Sequence, residues 1–310
     1  MYMILVRAVF ITGMLGNMFI GLANCSDWVK NQKITFINFI MVCLAASRIS
    51  SVLMLFIDAT IQELAPHFYY SYRLVKCSDI FWVITDQLST WLATCLSIFY
   101  LFKVAHISHP LFLWLKWRLR GVLVVFLVFS LFLLISYFLL LETLPIWGDI
   151  YVTLKNNLTL FSGTIKTTAF QKIIVFDIIY LVPFLVSLAS LLLLFLSLVK
   201  HSRSLDLIST TSEDSRTKIH KKAMKMLVSF LILFIIHIFF MQLAQWLLFL
   251  FPMSRPINFI LTLNIFALTH SFILILGNSN LRQRAMRILQ HLKSQLQELI
   301  LSLHRFSSLY

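Results

Sequence analysis

The sequence has few charged residues: they make up 12% of its 310 residues, whereas hydrophobic residues make up 60%. Soluble domains average about a quarter charged residues and about half apolar ones. So few polar side chains cannot cover the apolar surface that a chain of this composition would present to water. The composition therefore excludes a water-soluble fold and predicts a protein embedded in a lipid bilayer.

Sequence signatures of enzymes are also missing. The chain has no Gly-rich phosphate loop, no pair of histidines at zinc-binding helical spacing and no nucleophile elbow. With seven glycines and no repeated halves, it lacks the broken helices typical of transporters. The four cysteines, Cys25, Cys43, Cys77 and Cys95, are scattered without metal-ligand spacing. We therefore predict no enzymatic activity, no metal site and no cofactor.

Long apolar runs are what the sequence does contain. A helix needs about 20 apolar residues to cross the roughly 30 Å hydrocarbon core of a bilayer. Backbone groups in lipid must bond within their own segment, so such runs are helical. We therefore predict an all-α bundle of seven transmembrane helices. The predicted spans cover residues 3–25, 34–57, 79–102, 121–141, 173–199, 223–251 and 257–277.

The distribution of Lys and Arg between the loops predicts the orientation. One set of loop ends carries eighteen of these residues and the other carries six. The positive-inside rule then places the amino terminus outside the cell and the carboxyl terminus in the cytosol, in the plasma membrane. Anionic inner-leaflet lipid and a cytosolic partner account for the net charge of +14 without nucleic acid. The sequon Asn157-Leu158-Thr159 lies in a loop predicted to be outside, so Asn157 is a candidate glycosylation site.

The segment after the last apolar run has a helical period of its own. Apolar residues recur near every 3.6 positions, with basic residues on the other face, which predicts an amphipathic helix along the inner membrane surface. These apolar positions are Leu281, Ala285, Ile288, Leu292, Leu296, Leu299 and Leu303. We therefore divide the chain into a seven-transmembrane domain, residues 1–278, and a cytosolic amphipathic tail, residues 279–310.

Seven helices, an extracellular amino terminus and no catalytic set are typical of G-protein-coupled receptors. The chain lacks the Asp-Arg-Tyr triplet after span three and the Asn-Pro-x-x-Tyr motif in span seven that mark the large rhodopsin-like class. Four stretches on different predicted spans carry a more specific pattern: residues 13–20 (GMLGNMFI), 44–48 (LAASR), 91–100 (WLATCLSIFY) and 270–279 (HSFILILGNS). In the right order and on the right spans, these and other stretches resemble the bitter taste receptors, the taste receptor type 2 family.

The resemblance implies a receptor that binds small organic, often amphipathic bitter compounds in an outer-half cavity of the bundle. It also implies activation of a heterotrimeric G protein, gustducin or a related inhibitory-class protein. A type 1 vomeronasal pheromone receptor and a membrane transporter are the alternatives. Membrane lipid is a further partner, and the sequence leaves open whether the chain forms homo- or hetero-oligomers.

Candidate ligand-binding residues lie first on span three. Trp82, Asp86 and Thr90 recur every four residues and share one helical face, with Gln87 adjoining. An aromatic ring, a carboxylate and a hydroxyl group suit an amphipathic ligand, including a cationic one. The resemblance adds residues of spans six and seven, namely His237, Phe240, Ile260 and Leu263. The alternative is that these aromatic rings pack as core, that Asp86 holds helices together and that His237 is a neutral buried imidazole.

Candidate signalling residues lie in the inner half. Arg48 is too costly to leave unpaired in lipid, so we expect it to bond neighbouring backbone carbonyls or Asn17. The resemblance assigns the resting state and G-protein contact to further residues, namely Tyr100, Lys103, Ser197, Leu198, His201, His270 and Ser271. The alternative is that they are polar contacts that only join helices.

Overall fold

The structure, a computed structural model, describes residues 2–31, 35–65, 72–105, 109–143, 162–206, 229, 232–240, 243 and 257–307. Within these ranges all regular structure is helical, which confirms the predicted all-α class. The helices are α1 (Tyr2–Asn31), α2 (Phe36–Leu64), α3 (Tyr72–Val104), α4 (Pro110–Trp117), α5 (Leu119–Thr143), α6 (Ser162–Asp206), α7 (residues 232–240), α8 (Ile257–Gly277) and α9 (Ser279–Ser307).

Four of the described helices contain segments long and apolar enough to cross a membrane: Met3–Val29, Phe36–Leu64, Leu119–Leu139 and Asp177–Ser197. They coincide with predicted spans one, two, four and five. The other three predicted spans overlap α3, α7 and α8. The described residues thus support a membrane protein, and the count of seven spans stays a prediction.

Helix α5 illustrates how the apolar residues are distributed. Much of its surface is exposed and apolar, including Val125, Val128, Phe132, Ile135 and Leu139. Soluble proteins rarely expose a contiguous apolar patch of this kind, whereas lipid is a suitable surrounding for it. The excess of apolar residues in the sequence therefore covers the outside of the bundle as well as its core.

Helix α3 lies at the centre of the packing. It contacts α2, α4, α5 and α6, while α1 contacts α2 and α8. Trp91 of α3 is fully buried and packs on Phe126 of α5, with ring centroids 4.4 Å apart. The absence of a side chain at Gly13 allows α1 and α2 to approach closely, because a Cβ there would lie 3.1 Å from Val52 Cγ2. Polar groups on α3 therefore have neighbours on several sides.

The apolar core differs between the two ends of the bundle. We call the end that carries α9 the tail end, and the opposite end the far end. The tail end contains one continuous cluster with residues from α1, α2, α3, α4, α5, α6, α8 and α9, among them Ile20, Leu44, Leu96, Phe112, Leu123, Leu194, Leu274 and Leu281. The far end has two smaller clusters, one around Val83, Leu134, Ile179 and Tyr180 and the other around Val6, Val9, Leu55 and Ala59.

Helix α9 follows α8 after a single intervening residue. Helix α8 ends at Gly277, and Asn278 Oδ1 accepts from the backbone N–H groups of Asn280 (3.0 Å) and Leu281 (3.4 Å). This is the side-chain cap that a helix amino terminus needs, because its first N–H groups have no partner within the helix. The predicted helical tail is confirmed, and the residues Gly277-Asn278 explain where one helix stops and the next begins.

Candidate functional site

Arg48 of α2 is the centre of a polar network inside the bundle. Its side chain is buried, with 2% of the residue exposed. Nη1 donates to Ser271 Oγ of α8 at 2.9 Å, and Nε donates to Ser89 Oγ of α3 at 3.3 Å. Nη2 donates to Nδ1 of His270, also on α8. One guanidinium group therefore connects three helices.

The network continues from Arg48 to α1. Ser271 Oγ donates to Asn17 Oδ1 at 2.8 Å, and Asn17 Nδ2 donates to the backbone oxygen of Gly13 at 2.9 Å. A second polar contact between α2 and α8 joins Ser51 Oγ to Asn264 Oδ1 at 3.3 Å. Residues from α1, α2, α3 and α8 are therefore held together by side-chain hydrogen bonds where lipid offers no alternative partner.

The expected partners of Arg48 need a correction. The sequence predicted nearby backbone carbonyls or Asn17, whereas Arg48 bonds side chains of α3 and α8 and reaches Asn17 only through Ser271. The physical reason lies in the geometry of the guanidinium group. The planar guanidinium donates in several fixed directions at once, which suits acceptors on different helices.

A small cavity of about 10 Å³ lies beside this network. A polar cavity of roughly this volume holds about one water molecule. Its lining residues come from α2, α3 and α7: Arg48, Asp86, Ser89, Thr90, Ala93, Phe234 and His237. The Asp86 carboxyl group is buried, and the hydroxyl group of Tyr180 of α6 lies beside it. The site thus places a carboxylate, a guanidinium and an imidazole around a space much smaller than the roughly 300 Å³ of a typical ligand pocket.

The structure brings together three of the predicted ligand-binding residues. Asp86, Thr90 and His237 all line the cavity. Trp82 and Phe240 lie nearer the far end, where both pack against the cluster that contains Val83 and Tyr180. The three polar side chains therefore meet at the cavity, while the two aromatic rings belong to the neighbouring far-end cluster.

The other predicted ligand-binding residues are placed differently. Gln87 is buried, and its Nε2 donates to the backbone oxygen of Ser130 at 3.3 Å, so it faces α5 and is not among the residues that line the cavity. Ile260 and Leu263 lie in α8, but their side chains are outside the part that the structure describes. Their role as an opposite wall stays a prediction.

Two of the predicted signalling residues, His270 and Ser271, contact Arg48 directly. Tyr100 packs against the tail-end cluster, and Lys103 Nζ lies 5.6 Å from the centroid of the Phe99 ring at the end of α3. Ser197, Leu198 and His201 are in α6, and of these only the Ser197 side chain lies within the described residues, where it is partly buried. Asn157 also lies outside the described residues.

Sequence reasoning missed several residues of the site. Ser89 and Ala93 follow Asp86 at three and seven positions, which is the spacing of one helical face, so the pattern could have revealed both. Phe234 precedes His237 by three positions on α7 and has the same signal. Tyr180 of α6, which lies beside Asp86, has no local signal because it is far away in sequence.

Comparison with known proteins identifies the family. The sequence model of the Taste receptor protein (TAS2R) family matches residues 1–293. Taste receptor type 2 member 42 of Pan troglodytes is 50% identical over 299 residues, which cover 94% of each chain. The protein of the same name from Homo sapiens is 49% identical over 310 residues, again with 94% of each chain covered. Taste receptor type 2 member 7 of Macaca mulatta is 38% identical over 286 residues, 90% of this chain and 89% of that protein.

These matches confirm the resemblance inferred from short stretches on several spans and extend it to nearly the whole chain. They also set aside a vomeronasal receptor. Together with the apolar helices, they show that the chain is a membrane protein and belongs to the taste receptor type 2 family.

Proposed function

We propose that the chain is a G-protein-coupled receptor for bitter compounds, with seven membrane-spanning helices in residues 1–278. The amino terminus and the far end face outward from the plasma membrane, while the tail end and residues 279–310 face the cytosol. The observation that carries the proposal is the buried Arg48 network, which joins α1, α2, α3 and α8 beside a polar cavity in a member of the taste receptor family. Intramembrane ionisable groups of this kind are functional by default, because lipid-facing charge is costly.

The ligand that this site fits is a small amphipathic organic molecule. Asp86, Thr90 and His237 supply polar groups at the floor, and the Trp82 and Phe240 rings supply apolar surface on the far-end side. Ile260 and Leu263 complete the opposite wall, whereas Gln87 faces α5 and does not contact the ligand. A ligand with a cationic or hydrogen-bonding end and an apolar body satisfies both parts, as small-molecule pockets usually require.

Ligand binding acts by shifting a two-state equilibrium. The cavity is water-sized in this structure, so a bitter compound needs a more open arrangement and stabilises that arrangement by binding to it. The opened tail end then accepts the carboxyl-terminal helix of the Gα subunit of gustducin or a related inhibitory-class protein. We assign this contact to residues near the carboxyl ends of α3 and α6, namely Tyr100, Lys103, Ser197, Leu198 and His201. Arg48, with His270 and Ser271, connects the cavity to α8.

The test is calcium release in cells that express the receptor with a chimeric G protein. An epitope tag reports delivery to the cell surface, and the same cells without the receptor are the control. We expect a concentration-dependent response to at least one compound of a broad bitter panel. Surface delivery with no response to any compound, together with uptake of a substrate, would replace the receptor by a transporter.

A further inference from the structure

We propose that Arg48 is the resting counter-ion of Asp86, and that a cationic ligand competes with Arg48 for this carboxylate. The ion pair is a property of the ligand-free chain, whereas the competition rests on the proposed function. Nothing in the family membership or in the predicted roles of single residues assigns this pairing.

The first observation is the shared cavity. Arg48 of α2 and Asp86 of α3 line the same space of about 10 Å³, which has room for about one water molecule between them. Opposite charges attract strongly in such a setting, because the surroundings have a much lower effective dielectric constant than water. A single water that bridges the two groups costs little relative to a direct hydrogen bond.

The second observation concerns the charge of the partners that Arg48 bonds directly. Ser89 and Ser271 offer neutral hydroxyl oxygens, and the Nδ1 of His270 that accepts from Arg48 is an unprotonated nitrogen. Asp86 is the only carboxylate among the residues that line the cavity, and the Tyr180 side chain beside it is a neutral phenol that leaves its charge uncompensated. A buried cation needs a compensating anion, and Asp86 is placed to supply it.

Competition follows from the size and charge of the cavity. An ammonium group on a ligand can approach Asp86 only if the water-sized space widens, and it then lies near a second cation, Arg48. The two cations repel each other, so Arg48 moves away from α3 toward Ser271 and His270 of α8. A cationic ligand and the Arg48 network are therefore thermodynamically coupled, and the coupling acts in both directions.

The ion pair is tested without any agonist by a double-mutant cycle. The full-length receptor is purified in detergent, and the melting temperatures of wild type, Arg48→Gln, Asp86→Asn and the double variant are compared. We expect Arg48→Gln to lower the melting temperature much less in the Asp86→Asn background, because no buried carboxylate is then left alone. Additive shifts would overturn the pair.

Two further variants keep this test informative. Thr90→Val removes a hydroxyl from the same cavity without changing charge, and its effect should add to that of Arg48→Gln. Arg48→Lys keeps the positive charge, so the cost of Asp86→Asn should be the same in the Arg48→Lys background as in wild type. If Arg48→Gln does not fold, a smaller cost of Asp86→Asn in the Arg48→Lys background contradicts the pair.

The competition is tested with two probes from the panel, the most potent quaternary ammonium compound and the most potent uncharged one. We expect Asp86→Asn to raise agonist-free calcium signalling about fivefold, because the resting pair is lost. We expect Arg48→Gln to favour the cationic probe over the uncharged probe by about tenfold in relative potency. Unchanged agonist-free signalling, or equal shifts in potency for both probes, would overturn the competition.

The two experiments together distinguish failure of the proposed function from failure of the ion pair. If no compound elicits a response while the melting cycle is non-additive, the proposed function fails and the ion pair stands.

Discussion

The tail end and the far end of this bundle are built differently. The tail end has one apolar cluster to which eight helices contribute, whereas the far end has two separate clusters with partly buried aromatic rings packed against them. A continuous, close-packed core resists deformation, because any shift disturbs many contacts at once. A divided core can rearrange around a guest molecule. The comparison teaches that the far end can repack locally, which suits the proposed ligand, whereas the tail end can move only as whole packed helices, with Arg48 between the two ends.

Removal of Arg48 should have the largest effect on stability, because Arg48 lies between the two ends and joins three helices there. Arg48→Ala leaves Asp86 without its counter-ion and removes three hydrogen bonds, and we expect a loss of about 3–5 kcal/mol of stability. The measurement is the melting temperature in detergent together with surface delivery in cells.

The matched control for this prediction is Arg7→Ala. Arg7 lies 4.0 Å from Glu63 in an exposed pair, with 63% and 47% of the two side chains accessible. Exposed pairs contribute about 0–1 kcal/mol, so the change should be small. Equal losses of stability for Arg48→Ala and Arg7→Ala would mean that the buried network stabilises the bundle no more than an exposed ion pair does.

The difference in packing between the ends can be measured with one type of substitution. Leu96→Ala at the tail end should cost about 2–5 kcal/mol, because its surroundings are packed on all sides and cannot collapse into the space. Leu134→Ala at the far end should cost less, because its cluster is small and more easily rearranged. Melting temperatures of the two purified variants give the comparison, and a larger loss for Leu134→Ala would reverse it.

Asp86→Ala tests whether the site distinguishes cationic agonists from neutral ones. We expect about a tenfold loss of potency for cationic agonists, equivalent to about 1.4 kcal/mol, and a smaller loss for neutral ones. Calcium responses to charged and uncharged panel members give the two potencies. Gln87→Ala is a suitable comparison, because Gln87 faces α5. Equal losses for neutral and cationic compounds would remove the charge role of Asp86.

Asn157→Gln should have the smallest effect on stability, but it tests which end faces out. If Asn157 carries a glycan, this variant runs at a lower apparent mass and reaches the surface less well. Glycosidase treatment of the wild type should reproduce the mass shift, and the second sequon, Asn24-Cys25-Ser26, should stay unmodified on the predicted cytosolic side. A wild-type band that does not move after glycosidase treatment would contradict the extracellular placement of Asn157.

The sequence predicted where helices occur, but it did not predict where they end. Predicted span three covers residues 79–102, whereas α3 runs from Tyr72 to Val104, and predicted span five covers residues 173–199, whereas α6 runs from Ser162 to Asp206. Hydropathy detects the length that lies in lipid. The hydrogen-bond ladder of a helix does not stop at the lipid boundary, so the helices continue beyond the apolar runs.

The site was predictable only where its residues repeat along one helix. Asp86 and Thr90, four residues apart, line one cavity, and their role in ligand binding stays a prediction. Gln87 is one position further on, which turns its side chain by about 100° toward α5. The partners of Arg48 on α8 are more than 200 residues away, and no spacing rule predicts which distant hydroxyl will meet a guanidinium.

The attachment of α9 to α1 has a consequence for how the bundle can open. Arg284 of α9 donates to the backbone oxygen of Ala23 at 2.9 Å and forms an ion pair with Asp27 of α1, while α9 is also continuous with α8. Helices α1 and α8 are thereby connected to each other through α9. Motion that opens the tail end is then directed away from α1, α8 and α9 and toward α6 and α7, where the rings of Phe184 and Phe234 stack with centroids 5.8 Å apart.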